Sequence, residues 1–519
     1  MPRARATPSP WVIAISVMFG TFMVVLDTTI VNVSLPHIAG NLSASIEEST
    51  WALTTYLAAN AIILPITGWL ANYFGRRRVL LLSVAGFTVA SLLCGLATSL
   101  PILVLWRIVQ GATGGVMQPL SQAIMLEAFA PKDRGKAMAF FGIGVVVAPV
   151  LGPVLGGWLT DNYSWRWVFY VNLPFGIAAY AMLRANVFDP PYIKRGTAGI
   201  DYWGIGLLAI GIAALQIGLD QGQLKDWFSS DLIIALAVAA VVGLGGFVVH
   251  ALLTRDPVVD LRLFKEPTFA TGVLLITVMG FGLYGSLVLM PVLLQTLLGY
   301  PSLQAGFAMA PRGLGSLVAM PLVGVLMNRT DPRRMLGLGF LLNAFTLYWL
   351  SWLNLQAGFW DIFWPQFVQG IGMGLLFVPL TTIAMDRIAP KDMGHATSLF
   401  NLLRNIGGAA GIAVIQTVLA RDRQEHFNVL GAHVSAYAPA TQLMFQNLRS
   451  AFVARGSDLA TATARANAAL FGMVQKQAAM IAFIDGFKFL AAAFLVLLPF
   501  VFLLKKPQHH GGPGVMVGD

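Results

Sequence analysis

Fourteen apolar stretches, each about the length that crosses a bilayer, run almost end to end through the chain, and lysines and arginines fall in every second gap between them. A stretch of roughly 20 apolar residues spans the hydrocarbon core as a helix, and cytoplasmic loops collect Lys and Arg. The spans lie near 12–34, 51–71, 79–98, 101–126, 137–160, 167–186, 201–220, 231–253, 269–293, 303–327, 335–354, 361–386, 395–419 and 479–504. The basic gaps hold Arg76, Arg77 and Arg78; Lys132, Arg134 and Lys136; Lys194 and Arg195; Arg255, Arg262 and Lys265; Arg329, Arg333 and Arg334; and Arg387 with Lys391. The short gaps between them hold only Arg166 and Lys225. With Arg3 and Arg5 before the first span and Lys505 and Lys506 after the last, both termini are expected in the cytoplasm. Parity then puts the one long connection, 420–478, on the outer side. The predicted fold class is an all-α integral membrane protein of 14 transmembrane helices.

Composition agrees. Hydrophobic residues make up 57%, charged residues 11%, and the mean hydropathy is +0.73. The net charge of +10 sits mostly in short loops between spans, which makes it a topology signal and argues against nucleic acid as a partner. Cys94 is the single cysteine, so no disulfide forms within the chain. The first span is too long for a signal-peptide core and reads as an uncleaved helix. The Gly- and His-rich tail 507–519 reads as disordered. No phosphate-binding loop of the pattern G-x-x-x-x-G-K-S/T occurs, which argues against ATP as the energy source. No metal site or cofactor motif is expected.

An internal repeat fixes the architecture further. Gln110-Gly111 and Pro131-Lys132-Asp133 with Gly135 recur as Gln369-Gly370 and Pro390-Lys391-Asp392 with Gly394, at an offset of 259. Gly68, Leu70, Asn72, Arg77 and Arg78 recur as Gly324, Leu326, Asn328, Arg333 and Arg334, at an offset of 256. Corresponding spans are eight apart, an even number, so the two halves share one orientation. Parallel halves with a site between them near the midplane are a known transporter plan. The predicted layout is a six-helix half over 1–186, two inserted spans with their linkers over 187–260, and a second six-helix half over 261–506.

Charges inside spans mark candidate sites. Asp27 lies within the first span, where an acid costs roughly 2.5 to 3.5 kcal/mol on the insertion scale, so it needs a partner or a proton. Thr21, Thr28 and Asn32 share a helical stripe beside it and are expected to face a polar cavity. In the fourth span Arg107, Gly111, Gly114 and Gln118 share a face, and Arg107 is the natural counter-ion. Arg312 and Arg404 are further buried cations, Arg404 beside Gly407, Gly408 and Gly411. Arg312, Arg404, Asn32, Gln118 and Tyr284 are candidates for coupling or substrate contact. His37, His250 and His395 are weaker candidates as proton carriers, and Glu127 and Asp386 read as loop anchors. In the fifth span Gly144, Ala148, Gly152 and Gly156 recur every four residues, a stripe that permits close helix packing. Pro149 and Pro153 beside it remove backbone hydrogen bonds and are expected to bend the helix.

Gly68-Trp69-Leu70-Ala71-Asn72-Tyr73-Phe74-Gly75-Arg76-Arg77-Arg78 resembles the loop signature of the major facilitator superfamily, which usually has an acidic residue where this chain has Asn72. Leu26-Asp27-Thr28-Thr29-Ile30-Val31-Asn32-Val33, the Arg107, Gln110 and Gly111 set, and Ala148-Pro149-Val150-Leu151-Gly152-Pro153-Val154-Leu155-Gly156-Gly157 resemble the fourteen-span drug:proton antiporters. Asp226-Trp227-Phe228-Ser229-Ser230, Pro365-Gln366-Phe367-Val368-Gln369-Gly370 and the long penultimate connection are similar to the EmrB subfamily. The resemblance implies a multidrug efflux transporter of the bacterial inner membrane, driven by protons and not an enzyme. It implies Asp27 and Arg107 in proton coupling, and conformational roles for Gly68, Asn72, Gly75, Arg76 and Arg77 and for Pro149, Gly152, Pro153, Gly156 and Gly157. Hydrophobic drugs, membrane lipid, a periplasmic membrane-fusion adaptor (EmrA-like) and an outer-membrane channel (TolC-like) are the implied partners. The rival readings are a proton-coupled carrier of one metabolite, which the fold alone allows, and a membrane-embedded enzyme, for which no nucleophile, base or metal-ligand cluster is evident.

Overall fold

The computed structural model describes residues 9–190, 196, 199–254, 257–327, 329–435 and 437–504. Arg3, Arg5, Lys194, Arg195, Arg255, Asn328, Lys505, Lys506 and the tail 507–519 lie outside the described residues. Long apolar runs must satisfy their own backbone groups and so fold as helices. The N-terminal set is α1 (Pro10–Asn41), α2 (Trp51–Phe74), α3 (Arg76–Gly95), α4 (Leu100–Gly114), α5 (Met117–Ala128), α6 (Arg134–Asn162) and α7 (Asn172–Asn186). Then come α8 (Tyr202–Gln221) and α9 (Asp231–Leu253). The C-terminal set is α10 (Pro267–Val292), α11 (Ser302–Leu326), α12 (Pro332–Leu350), α13 (Phe359–Met385), α14 (Met393–His433), α15 (Pro439–Ala454) and α16 (Leu459–Leu497).

Thirteen helices among the described residues are long and apolar enough to cross a membrane. The eleventh expected span falls outside that count. It is occupied by α12, a 19-residue helix whose first turn carries Arg333 and Arg334 and is correspondingly less apolar. The fourth span, expected as one helix, crosses as Leu100–Ala128. Pro119 has no N–H to offer the carbonyl of Gly115, so the hydrogen bonding is interrupted between α4 and α5 while Gly115 and Val116 keep helical dihedrals. By contrast α6 runs through Pro149 and Pro153 as one continuous helix.

The connection 420–478 is largely helical. α14 continues to His433, α15 follows, and α16 starts at Leu459, so the Ala-rich run 460–482 lies inside it. The α14 extension packs on α16, with the Phe427 and Phe471 rings 5.2 Å apart and His426 Nε2 2.9 Å from Asp485 Oδ2.

Packing repeats as the sequence does. α1 packs on α6 and α7, α4 on α2 and α3, and α3 on α7. One repeat later α10 packs on α14 and α16, α13 on α11 and α12, and α12 on α16. The sets meet along two symmetric seams, α2 with α14 and α6 with α11. Glycines allow both approaches. A Cβ on Gly68 would lie 2.7 Å from the His395 backbone nitrogen, and one on Gly324 2.9 Å from Ala139 Cβ. Both contacts are at the end carrying the basic 75–78 and 329–334 loops, hereafter the basic-loop face.

The inserted helices α8 and α9 cross at Gly211 and Gly243, each glycine leaving room for the other's backbone. α8 lies against both α2 and α14. Thr54 donates to Asp220, and Trp227 Nε1 donates to Thr417 Oγ1 at 2.9 Å, so the pair is tied to both sets. At its other end Asp201 caps α8. Burial pushes that carboxyl up, but hydrogen bonds from Gly204, His250 and Val258 outweigh it and leave it below the ordinary carboxylate range.

Candidate functional site

The first constellation is built on α1. Asp27 and Arg107 are both 0% exposed and pair at 2.6 Å. Asp27 Oδ1 also accepts from Gln110 Nε2 at 3.0 Å and from Asn172 Nδ2 at 2.8 Å. Arg107 is held separately. Its Nε donates to the Ala52 carbonyl at 3.0 Å, its Nη1 to Gln110 Oε1 at 2.8 Å, and its guanidinium lies 4.0 Å over the Tyr56 ring. Asn172 donates in turn to Ser91 Oγ at 3.0 Å. One acid thus gathers α1, α2, α3, α4 and α7. The network is not saturated: among the described residues Arg107 Nη2, the Tyr56 hydroxyl and Asn172 Oδ1 have no partner. A charged cluster with spare donors and acceptors can rearrange when its charge changes.

Glycines on α6 bring that helix against α1 at the level of the acid. Gly152 leaves room for Thr29 and Ile30, and a Cβ on Gly156 would meet the Ile30 carbonyl at 2.6 Å. The small-residue stripe therefore serves the α1–α6 contact, while Pro149 on the same helix faces a cavity between the two sets.

That cavity is bounded by α6, α10, α11, α13 and α14, with Val145, Met279, Leu283, Tyr284, Met373 and Phe377 among its walls. The space between its atoms, open solvent at its mouth included, is about 540 Å³. Arg312 and Arg404 are its charged lining. Arg312 Nη2 donates to Ser286 Oγ at 3.0 Å and to Gln369 Oε1. Among the described residues neither arginine pairs with a carboxylate, and Arg312 Nε, Arg312 Nη1 and Arg404 Nε have no acceptor.

The second constellation shares part of the plan of the first. The offset of 259 carries Gln110 to Gln369 and Arg107 to Gln366, and the offset of 256 carries Tyr56 to Arg312 and Asp27 to Leu283. A guanidinium stands at the tyrosine's place, the glutamine still accepts from it, and its other partner is the Ser286 hydroxyl in place of an acid.

The loop signature lies at the basic-loop face. Asn72 Nδ2 donates to His395 Nε2 at 3.3 Å across the seam. Gly75 takes a φ of 92°, a left-handed value that favours glycine, and breaks α2 from α3. Arg76 pairs with Glu127 at 2.6 Å, and the Arg77 backbone donates to Asp189 at 2.9 Å. Asn401 Nδ2 donates to Gln122 Oε1 at 2.6 Å, a second polar tie between the sets.

The Major Facilitator Superfamily profile matches residues 17–412. The chain belongs to that superfamily. It is 38% identical over 99% of both chains to the fatty acid resistance protein FarB of Neisseria gonorrhoeae. It is 36% identical to the multidrug export protein EmrB of Escherichia coli K12, over 97% of both. Among solved structures it resembles the human organic anion transporter MFSD10 (TETRAN) at a TM-score of 0.62, covering 96% of this chain and 100% of that one. At 15% identity that likeness carries the fold alone. The protein is therefore a multi-pass member of a transporter superfamily.

Several sequence candidates meet in space and others do not. Asp27 with Arg107 forms one site; Arg312, Arg404, Tyr284 and Pro149 line the other. Gln118 is buried in α5 but is not a partner of Asp27: it lies eleven residues beyond Arg107, about 16 Å of helix rise. Asn32 is exposed, and Thr28 bonds the Val25 carbonyl of its own helix. His37 is exposed on α1, while His250 meets Asp201 and His395 meets Asn72. Sequence reasoning gave no role to Asn172, Tyr56 or Ser91. An asparagine at the start of an apolar span is the one signal that pointed to Asn172.

Proposed function

We propose that this protein is a proton-coupled exporter of hydrophobic toxic compounds, with Asp27 as the proton carrier. The observation that carries the reading is the fully buried Asp27–Arg107 pair, to which Gln110 and Asn172 add amide donors. Protonation of Asp27 removes the charge that holds Arg107, whose free Nη2 then has cause to find a new acceptor. Movement of α1 passes to α6 through Gly152 and Gly156, and α6 lines both the cavity and one seam between the sets. Protons entering from outside and cargo leaving toward it fit a bacterial inner-membrane protein with its basic-loop face in the cytoplasm. Each proton supplies about 2.3 kcal/mol per 100 mV of membrane potential. The names of FarB and EmrB support hydrophobic drugs and fatty acids as cargo.

Asp27→Asn tests this. In proteoliposomes with an imposed pH gradient, the variant should lose gradient-driven efflux of a hydrophobic dye while still binding it. Normal pumping by the variant would move the proton site elsewhere.

A periplasmic adaptor and an outer-membrane channel complete the proposed pump. The segment beyond the membrane, from the α14 extension through α15, is the proposed dock: Leu443 is 62% exposed, and Tyr437 and Val453 are exposed too. Residues 425–470 can be replaced by a short Gly/Ser linker, because Phe427 and Phe471 already meet. Transport in proteoliposomes should survive that replacement and adaptor co-purification should be lost; adaptor that still co-purifies would move the dock.

A further inference from the structure

Burying a charge without a partner is costly, and proteins answer with a counter-charge or a ligand. The N-terminal constellation has its counter-charge in Asp27. Its C-terminal counterpart keeps a guanidinium and the glutamine, but Arg312 meets the Ser286 hydroxyl and no acid. A second cation, Arg404, lines the same cavity, and both arginines are nearly inaccessible, at 3% and 2% exposure. Among the described residues three of their nitrogens have no acceptor. The remaining walls are mostly apolar.

We infer that Arg312 and Arg404 form a carboxylate-binding site for an amphiphilic organic anion, whose apolar body lies against Met279, Leu283, Met373 and Phe377. This deepens the efflux reading and rests on it. The acid that the second constellation lacks is supplied by the cargo. Arginine suits the role because its guanidinium donates charge-assisted hydrogen bonds to carboxylate oxygens and stays charged. Ser286 and Gln369 both use Arg312 Nη2, which leaves Nε and Nη1, on separate edges of the guanidinium, as single donors to the ligand. Glycines fix Arg404 in place. Gly280 leaves room for the Arg404 carbonyl, and Gly408 lies against the Tyr284 ring, so α14 and α10 hold the cation and the cavity wall in register.

Dodecanoate and methyl dodecanoate, which share a chain and differ in charge, are the probes. Calorimetric titration of the purified full-length protein in a neutral detergent should show dodecanoate binding that weakens at least about tenfold in Arg312→Gln and in Arg404→Gln, the loss expected for a charge-assisted hydrogen bond. Methyl dodecanoate should change less than about threefold, and Arg312→Lys should keep part of the dodecanoate affinity. Unchanged ester binding also reports that the variants are folded. Equal weakening of both probes, or of neither, would overturn the site. Competition by phosphatidylglycerol but not by dodecanoate would assign the arginines to a lipid phosphate and overturn it as well. A wild-type protein that exports a neutral dye yet does not bind dodecanoate overturns this inference alone; one that exports nothing overturns the efflux reading.

Discussion

Arg107→Gln is expected to be among the most destabilising single substitutions in this protein, at about 3 to 5 kcal/mol, the cost of leaving one member of a buried ion pair behind. Asp27 would then keep only the amides of Gln110 and Asn172. Asp27→Asn should cost less, because Arg107 would keep the Ala52 carbonyl, Gln110 Oε1 and the face of Tyr56. The double variant should be more stable than Arg107→Gln, since two amides can bond each other with no charge to solvate. The coupling energy between neighbours in one network is measured by that cycle. Unfolding of the four proteins in detergent, followed by the loss of helix signal, gives the order directly. Equal destabilisation by both single substitutions, with a purely additive double, would mean that the pair contributes nothing beyond its separate contacts.

The charges that build these sites were legible because apolar spans make them conspicuous. Asp27, Arg107, Arg312 and Arg404 each stand out in a run of hydrocarbon, and the repeat drew attention to Gln110 and Gln369. The partners were less legible. Asn172 sits in Val-Asn-Leu-Pro-Phe, where an asparagine reads as interfacial, and only the three-dimensional approach of α7 to α1 turns it toward the acid. Asn32 misled in the other direction. It lies five residues from Asp27, about 140° around a helix at 3.6 residues per turn, so a helix that turns Asp27 inward leaves Asn32 exposed. The fold class followed from hydropathy and loop charge. The hydrogen bond missing at the Gly115 carbonyl follows from Pro119, which a hydropathy scan averages over. The helical form of 420–478 had only the Ala-rich run as a signal, because polar and apolar residues mix there without a sustained period.

The glycines at the seams set the other large effect. A Cβ on Gly68 would stand 2.7 Å from the His395 nitrogen and 2.8 Å from the Gly394 carbonyl carbon. These are backbone atoms that cannot swing aside, so the ends of α2 and α14 must part. Gly324 has the equivalent position on the other seam, where a Cβ would meet the Gly135 carbonyl at 3.0 Å. Forcing an extra group into a packed contact costs about 1 to 3 kcal/mol, which shifts an open–closed equilibrium by roughly 5- to 150-fold at 1.4 kcal/mol per factor of ten. A full swing from 99:1 to 1:99 takes about 5.5 kcal/mol. Gly68→Val alone should therefore slow transport at least about fivefold if closure at this face is a step of the cycle. Gly68→Val with Gly324→Val, on separate seams whose costs should add, should hold the protein open at the basic-loop face and abolish transport. Asn401→Cys in a Cys94→Ala background supplies the readout, since Asn401 is buried at this face against Gln122. Its labelling by a thiol reagent should be slow alone, faster with Gly68→Val and fastest with both glycines replaced. Unchanged labelling together with unchanged dye efflux in the double variant would show that the two seams do not close during transport.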